Sequence, residues 1–503
     1  MGAMHFQVPG NLPAEIAEKL RRAYLAGGYD RSPVQTRVDS SGDRLTLRRD
    51  NDESGYVVAP WEIAGAGLLM GQSSTLMERA SPYRLLVELA RGKVNQIRSQ
   101  AFEWRLGGLE ILPAVEERIR TATMAFGKAV LEPNPADAER YAVAALEEAY
   151  GTAEALVALY VEQISSFRRQ QQERIDSSLA CRLNEVPSGE IEDAYRQTFN
   201  AVGVPLTWRS TEPQEANYNW EAADRVVDWA LDQKMGIVAG PLIDFSTFGV
   251  PTWLHDWEGD LPSLASFMCD YIETVVARYR DRIRRWVICT GSNGTRALGL
   301  SEDDLIRLTA RLSEAAWGID PNLEVVVGLS QPWGEYLAGD SFNYSPFVFA
   351  DTLLRAGLPF AGFELEWHMG TSPRGSFCRD PLEASRLLDM FGLLGCPIQL
   401  ALSYPSSTDR DLRADAEQST GKAGYWHGVT TLAQAEWAET FTSLALAKGF
   451  VVGAFWDHLN DGLPHHFPNA GLVDAMGHRK PSFDRLRLLR ETHFRRPGGT
   501  FIA

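Results

Sequence analysis

The sequence predicts an α/β protein whose larger part is a (β/α)8 TIM barrel, preceded by a small mostly-β, sandwich-like domain and a helical segment. Three observations carry this. After Ile175, eight short apolar runs alternate with amphipathic stretches, the signature of βαβ units. They lie near 178–184, 201–208, 236–245, 285–291, 323–329, 360–368, 397–404 and 450–457. Before residue 110, short alternating segments are separated by turn residues. Between them the pattern is helical.

In chain order, residues 1–110 read as a β-rich domain. Arg44-Leu45-Thr46-Leu47-Arg48 and Gly55-Tyr56-Val57-Val58 alternate in polarity, and Ser41-Gly42-Asp43 and Asn51–Gly55 are turn signals. Such a domain either binds carbohydrate or only covers the barrel. Residues 111–175 read as helical. Pro113–Leu131 is amphipathic, and Asn134-Pro135 supplies an N-cap and a first-turn proline for a long helix or helical hairpin. Residues 176–495 are the barrel, and 496–503 a tail.

The composition is that of a globular protein, with 45% hydrophobic and 23% charged residues. A net charge of −17 repels phosphate backbones, so nucleic acid is not an expected partner. No run of about 18 apolar residues is present, so no membrane association is expected. MGAMHFQVPG lacks the features of a signal peptide, which predicts a cytoplasmic location. The five cysteines are widely spaced and suit reduced core thiols. The oligomeric state is not legible.

In a barrel of this kind, function sits at the C-terminal strand ends. Several motifs there resemble those of glycoside hydrolase family 10, the xylanase family. They are Glu212-Pro213, Tyr218-Asn219-Trp220, the run Ala223–Ala230, Pro251-Thr252-Trp253-Leu254, Arg285–Ile288, Gly362–His368, and Phe455-Trp456 with Gly471-Leu472 and Lys480-Pro481. The resemblance implies a barrel with a sugar-shaped cleft and an oligo- or polysaccharide as ligand. It also implies a retaining mechanism with two glutamates, one ending strand four and one ending strand seven. Here those places hold Gly291 and the carboxylate-free run Gln399–Tyr404. The family's strand-two sugar-holding cluster corresponds to Gly203, Val204 and Thr207, and its strand-three histidine to Pro241.

The remaining acidic groups supply the alternative. Glu364, Glu366 and His368 share one face of strand six through the period of two. Glu366 and Glu364, with Asp244 at the end of strand three, are the candidate catalytic residues, since neighbouring carboxylates can divide acid and base roles. The competing structural reading is a buried polar network, with Arg182 or Arg209 as partner. Asp244 also suits a turn.

For substrate binding, His368, Asp457, Arg209, Asn293 and Gln331 offer hydrogen bonds. Trp208, Trp253, Trp333, Tyr404 and Trp456 offer rings that could stack on sugar faces or pack in the core. No cofactor motif is present. His458, Asp461, His465 and His466 form a histidine-rich loop whose spacing matches no standard metal site, so no metal is assigned. Three readings remain open: a divergent hydrolase, a non-catalytic glycan binder, and a metal-assisted reaction on a sugar derivative.

Overall fold

The computed structural model describes residues 2–10, 12, 14–171, 177–246, 249–339, 342–421, 424–426 and 428–493. The expected 496–503 tail and the joint between the helical segment and the barrel lie outside the described residues.

The N-terminal strands form two four-stranded sheets. In the first, Gly2–Gln7 pairs antiparallel with Arg44–Arg49 and parallel with Tyr83–Arg84. In the second, Tyr56–Ile63 lies between Tyr24–Gly27 and Gly67–Gln72. The alternation at Arg44–Arg49 is realised: Leu45 and Leu47 are buried, while Arg44 and Arg48 are exposed. Helix begins earlier than the sequence reading placed it. Leu85–Leu106 is helical because its apolar residues, including Leu86, Leu89, Ala90, Val94 and Ile97, recur at helical spacing.

Two further helices follow, Pro113–Leu131 and the 36-residue Pro135–Gln170. Asn134 caps the latter, its side chain accepting from the Ala136 and Asp137 amides. Ala142, Ala145, Ala149 and Ala153 are fully buried along one stripe of that helix, where small side chains let its neighbours approach closely.

The barrel closes. Its strands are Ser178–Arg182, Ala201–Val204, Gly236–Ala239, Arg285–Thr290, Glu324–Leu329, Gly362–His368, Ile398–Ser403 and Val451–Trp456. All pair parallel in that order, and strand eight returns to strand one. The lower interior is apolar, filled by Ala180, Ala201, Val238, Val287, Val326 and Phe455. Above that layer the interior becomes charged. Gly203 and Gly328 leave space for it: a side-chain carbon at Gly203 would meet Arg182 Cγ at 2.6 Å, and one at Gly328 would meet Thr290 Oγ1 at 2.5 Å.

The N-terminal module packs on loops at the C-terminal face of the barrel. Backbone bonds join Met70 N to Cys378 O at 3.1 Å, Leu68 N to Gly424 O at 3.1 Å, Trp426 N to Ala66 O at 2.9 Å and Thr36 N to Ala338 O at 3.0 Å. The buried Lys93 ammonium, on helix Leu85–Leu106, donates to Asp380 at 2.6 Å. Asp380 in turn caps helix Pro381–Gly392. All five cysteines are unpaired, and four of them are buried. No helix among the described residues is long and apolar enough to cross a membrane.

Removing one partner of a buried ion pair strands the other. Lys93→Met is therefore expected to destabilise the protein by about 3–5 kcal/mol in denaturant unfolding. The double variant Lys93→Met, Asp380→Asn should recover part of that loss, because no unpaired charge remains.

Candidate functional site

Strand six points Glu364, Glu366 and His368 inward, as its period requires, and all three are buried. Between them, Trp367 turns outward and meets the Phe441 ring edge-on at 5.9 Å. The three inward groups differ in their surroundings.

Glu364 lies deepest, and both its oxygens are engaged. Oε1 accepts from Arg182 Nη2 at 2.6 Å, and Oε2 accepts from Gln399 Nε2 at 2.8 Å. The Gln399 carbonyl accepts from Arg285 at 2.9 Å. Arg182 also donates to Asp457 Oδ1 at 2.8 Å. The pairing with Arg182 that the sequence allowed is thus realised, while Arg209 lies on the short helix Trp208–Thr211.

Glu366 sits one layer higher. Its Oε1 accepts from the Thr290 hydroxyl at 2.6 Å and from Arg374 Nη2 at 3.0 Å. Its Oε2 makes no hydrogen bond and lies 3.6 Å from His368 Nδ1. Burial pushes this carboxyl up, but Arg374, His368 and Thr290 together outweigh burial and hold it at about 2.

Asp244 faces the same arginine. Its Oδ2 accepts from Arg374 Nη1 at 2.7 Å, and its Oδ1 accepts from the Ser246 amide at 2.9 Å. It therefore serves the turn and the charge cluster together. One guanidinium bridges two of the three candidate catalytic carboxylates. His368 Nε2 lies 3.6 Å from Asp457 Oδ1. Burial opposes ionisation of Asp457, while His368 and Arg182 hold it well below the usual carboxylate range.

The ends of strands four and seven carry Thr290-Gly291 and Ser403-Tyr404, without a carboxylate. Gly291 adopts φ +77°, a conformation that favours glycine, and lines the cleft. That cleft has a volume of about 1190 Å³ and opens over the ends of strands three to seven. Its wall includes Asp244, Gly291, Gln331, Arg374 and Asp415.

The other expected binding residues are placed variously. Gln331 lines the cleft and donates to Pro373 O at 2.8 Å. Asn293 is buried, holding Ser330 through its amide on both sides. Trp208, Tyr404 and Trp456 are at most 1% exposed, so their faces meet other core groups rather than the cleft. Trp208 stacks on Tyr271, Tyr404 stacks on Trp437, and Trp456 meets Trp437 edge-on. Trp253 packs edge-on against Trp208, and Trp333 lines a separate groove beside the N-terminal module.

Arg374 and Asp415 carry no signal in the sequence, and His466 stands out there only as part of the histidine-rich loop, without its pairing to Asp415. Arg374 sits in a Ser-Pro-Arg-Gly turn that reads as ordinary loop. Asp415 lies 2.7 Å from His466 Nδ1, whose Nε2 is 4.0 Å from Asp244. Burial lowers the His466 pKa, but Asp415 and Asp244 outweigh burial and Arg374, and the net direction is upward.

His458, Asp461 and His465 bring potential metal ligands within 4.8 Å of one another. Their geometry fits a metal poorly. The two imidazoles stack at 4.1 Å and 10°, so their in-plane lone pairs do not converge. Asp461 already holds the Lys480 ammonium at 2.5 Å, and His465 bonds Leu463 O and Asp411.

The lowered Glu366 pKa has a pH consequence. The ionised form is stabilised in the fold, so its contribution is present above the unfolded value near 4.5 and is lost as pH falls towards 2. Unfolding free energy is expected to drop by roughly 3 kcal/mol across that window on this group's account. Glu366→Gln should flatten that part of the pH–stability curve.

Residues 172–290, spanning strands one to four, match the model of Glycosyl hydrolase family 10. Over 114 residues the chain is 30% identical to endo-1,4-beta-xylanase 2 of Aureobasidium pullulans, covering 22% of this chain and 30% of that protein. Over 96 residues it is 28% identical to endo-1,4-beta-xylanase B of Thermotoga neapolitana, covering 19% and 27%. The chain thus spans less than a third of the length of these curated relatives. Native xylanase 10B from Thermotoga maritima aligns structurally with TM-score 0.47 and 17% identity, covering 64% of this chain and 97% of that one. The protein is built on a closed barrel that resembles glycosyl hydrolase family 10, with the sequence match lying in its first four strands.

Proposed function

We propose that this protein binds an oligo- or polysaccharide in the cleft at the C-terminal face of its barrel and does not cleave it by the paired-carboxylate route. The observation that carries this is the Arg374 bridge between Asp244 and Glu366. By the paired-carboxylate route, glycoside cleavage of either stereochemistry needs one neutral carboxyl to protonate the leaving oxygen. Glu366, held at about 2, is ionised at neutral pH and cannot serve as that acid. Asp244 and Glu364 are each paired with an arginine. A sugar is the proposed ligand because the family match and the xylanase relatives point to that class.

A second reading is favoured by one feature. His466, with its side chain a third exposed and oriented by Asp415, lies at the edge of Asp244 and tends to keep its proton. In that reading the protein hydrolyses its glycan, with His466 as proton donor and a strand-six or strand-three carboxylate as partner.

A panel of β-1,4-linked xylo-oligosaccharides and other neutral glycans, read for binding and for product, separates the two. Saturable binding without new reducing ends is expected. Turnover that Glu366→Gln abolishes would overturn the binding-only reading. Turnover that falls as pH rises through the His466 pKa, and is lost in His466→Ala, would establish the second.

A further inference from the structure

We infer that the N-terminal module is part of the ligand-binding site, and that Arg22 is a recognition residue within it. This rests on the glycan reading above and adds where the sugar is held.

The wall of the cleft is not built by the barrel alone. Glu18, Lys19, Arg22 and Leu68, all from the N-terminal module, line it together with the ends of strands three to seven. The helix Ala14–Lys19 and its following turn Leu20–Arg22 thus close one side. That side is fixed. The module is joined to the strand-six loop by the Met70–Cys378 backbone bond and to the strand-seven loop by the Leu68–Gly424 bond. The buried Arg379 guanidinium donates to the Tyr24 hydroxyl at 3.0 Å across the same junction. A tethered accessory domain would carry its own separate binding face. This module instead shares one cleft with the barrel.

Arg22 is exposed and lies over the Phe377 ring, with its guanidinium carbon 4.8 Å from the ring centroid. Phe377 and Glu335 line the same cleft, and Glu335 accepts from the Phe377 amide at 3.1 Å. The ring contact holds the planar guanidinium at the cleft wall, where its N–H fork can meet a ligand. A fork of this kind suits two adjacent oxygens on a sugar ring, either vicinal hydroxyls or a uronate carboxylate. Glu335 is itself engaged, its oxygens accepting from Arg379 Nη2 at 2.5 Å and from the Phe377 amide.

The test uses the full chain, with xylotetraose as the neutral probe and tetragalacturonate as the charged one, by titration calorimetry. Arg22→Ala is expected to weaken binding of the preferred probe about tenfold or more, with an unchanged thermal midpoint because the residue is exposed. Arg22→Lys, which keeps the charge and loses the fork, should fall between the two. Arg44→Ala, on the outer sheet of the module, should leave affinity unchanged. Preference for tetragalacturonate identifies a carboxylate at this position, and preference for xylotetraose identifies hydroxyls. Wild-type binding with unchanged affinity in Arg22→Ala would overturn this inference and leave the glycan reading intact. Failure of the wild type to bind either probe or any other glycan of the panel would overturn both.

Discussion

The upper half of this barrel is organised by the need to pair buried charge. Arg182 reaches from strand one to Glu364 on strand six and Asp457 after strand eight. Arg374 reaches back from the strand-six loop to Glu366 and Asp244. Unpaired, each of these groups would carry a penalty of several kcal/mol. Together they tie strands one, three, six and eight across the interior. The small residues around them follow from the same need, since Gly203 and Gly328 clear the space that Arg182 and Thr290 occupy. A polar layer above an apolar one thus replaces the packed aliphatic layers usual for barrel interiors.

That pairing also decides the chemistry available at the mouth. A carboxylate held between a guanidinium, a hydroxyl and an imidazole is stabilised in its charged form. Glu366 is therefore well placed as a fixed anion and poorly placed as a proton donor, while Asp244 and Glu364 are each tied to an arginine. The group with the opposite bias is His466, which Asp415 inclines towards its protonated state.

The N-terminal module extends this arrangement beyond the barrel. Backbone bonds from Thr36, Met70 and Leu68 join it to the loops that follow strands five, six and seven, and its side chains line the cleft. The loop carrying Arg374 is held by the module on one side. On the other, its Thr371–Ser372 ladder to Ser419–Thr420 joins it to the strand-seven loop. The position of the guanidinium is thus set by elements more than three hundred residues apart in sequence.

The sequence by itself determined what depends on near neighbours. The eight barrel strands, the Asn134 cap and the common face of Glu364, Glu366 and His368 all follow from local periodicity and capping chemistry. The helix Leu85–Leu106 has the same local signal, yet the strands before it dominate the pattern and place it in a β-rich region. Tertiary structure alone decided how the candidate residues are used. Arg374 carries no local mark, because a loop arginine is aimed by the fold that surrounds it. Trp208, Tyr404 and Trp456 stand near strand ends in the sequence, but the helices packed outside those strands take up their faces. Whether a carboxylate is a reagent or a fixed partner depends on groups from several distant elements converging within about 3 Å, and such convergence has no period to read.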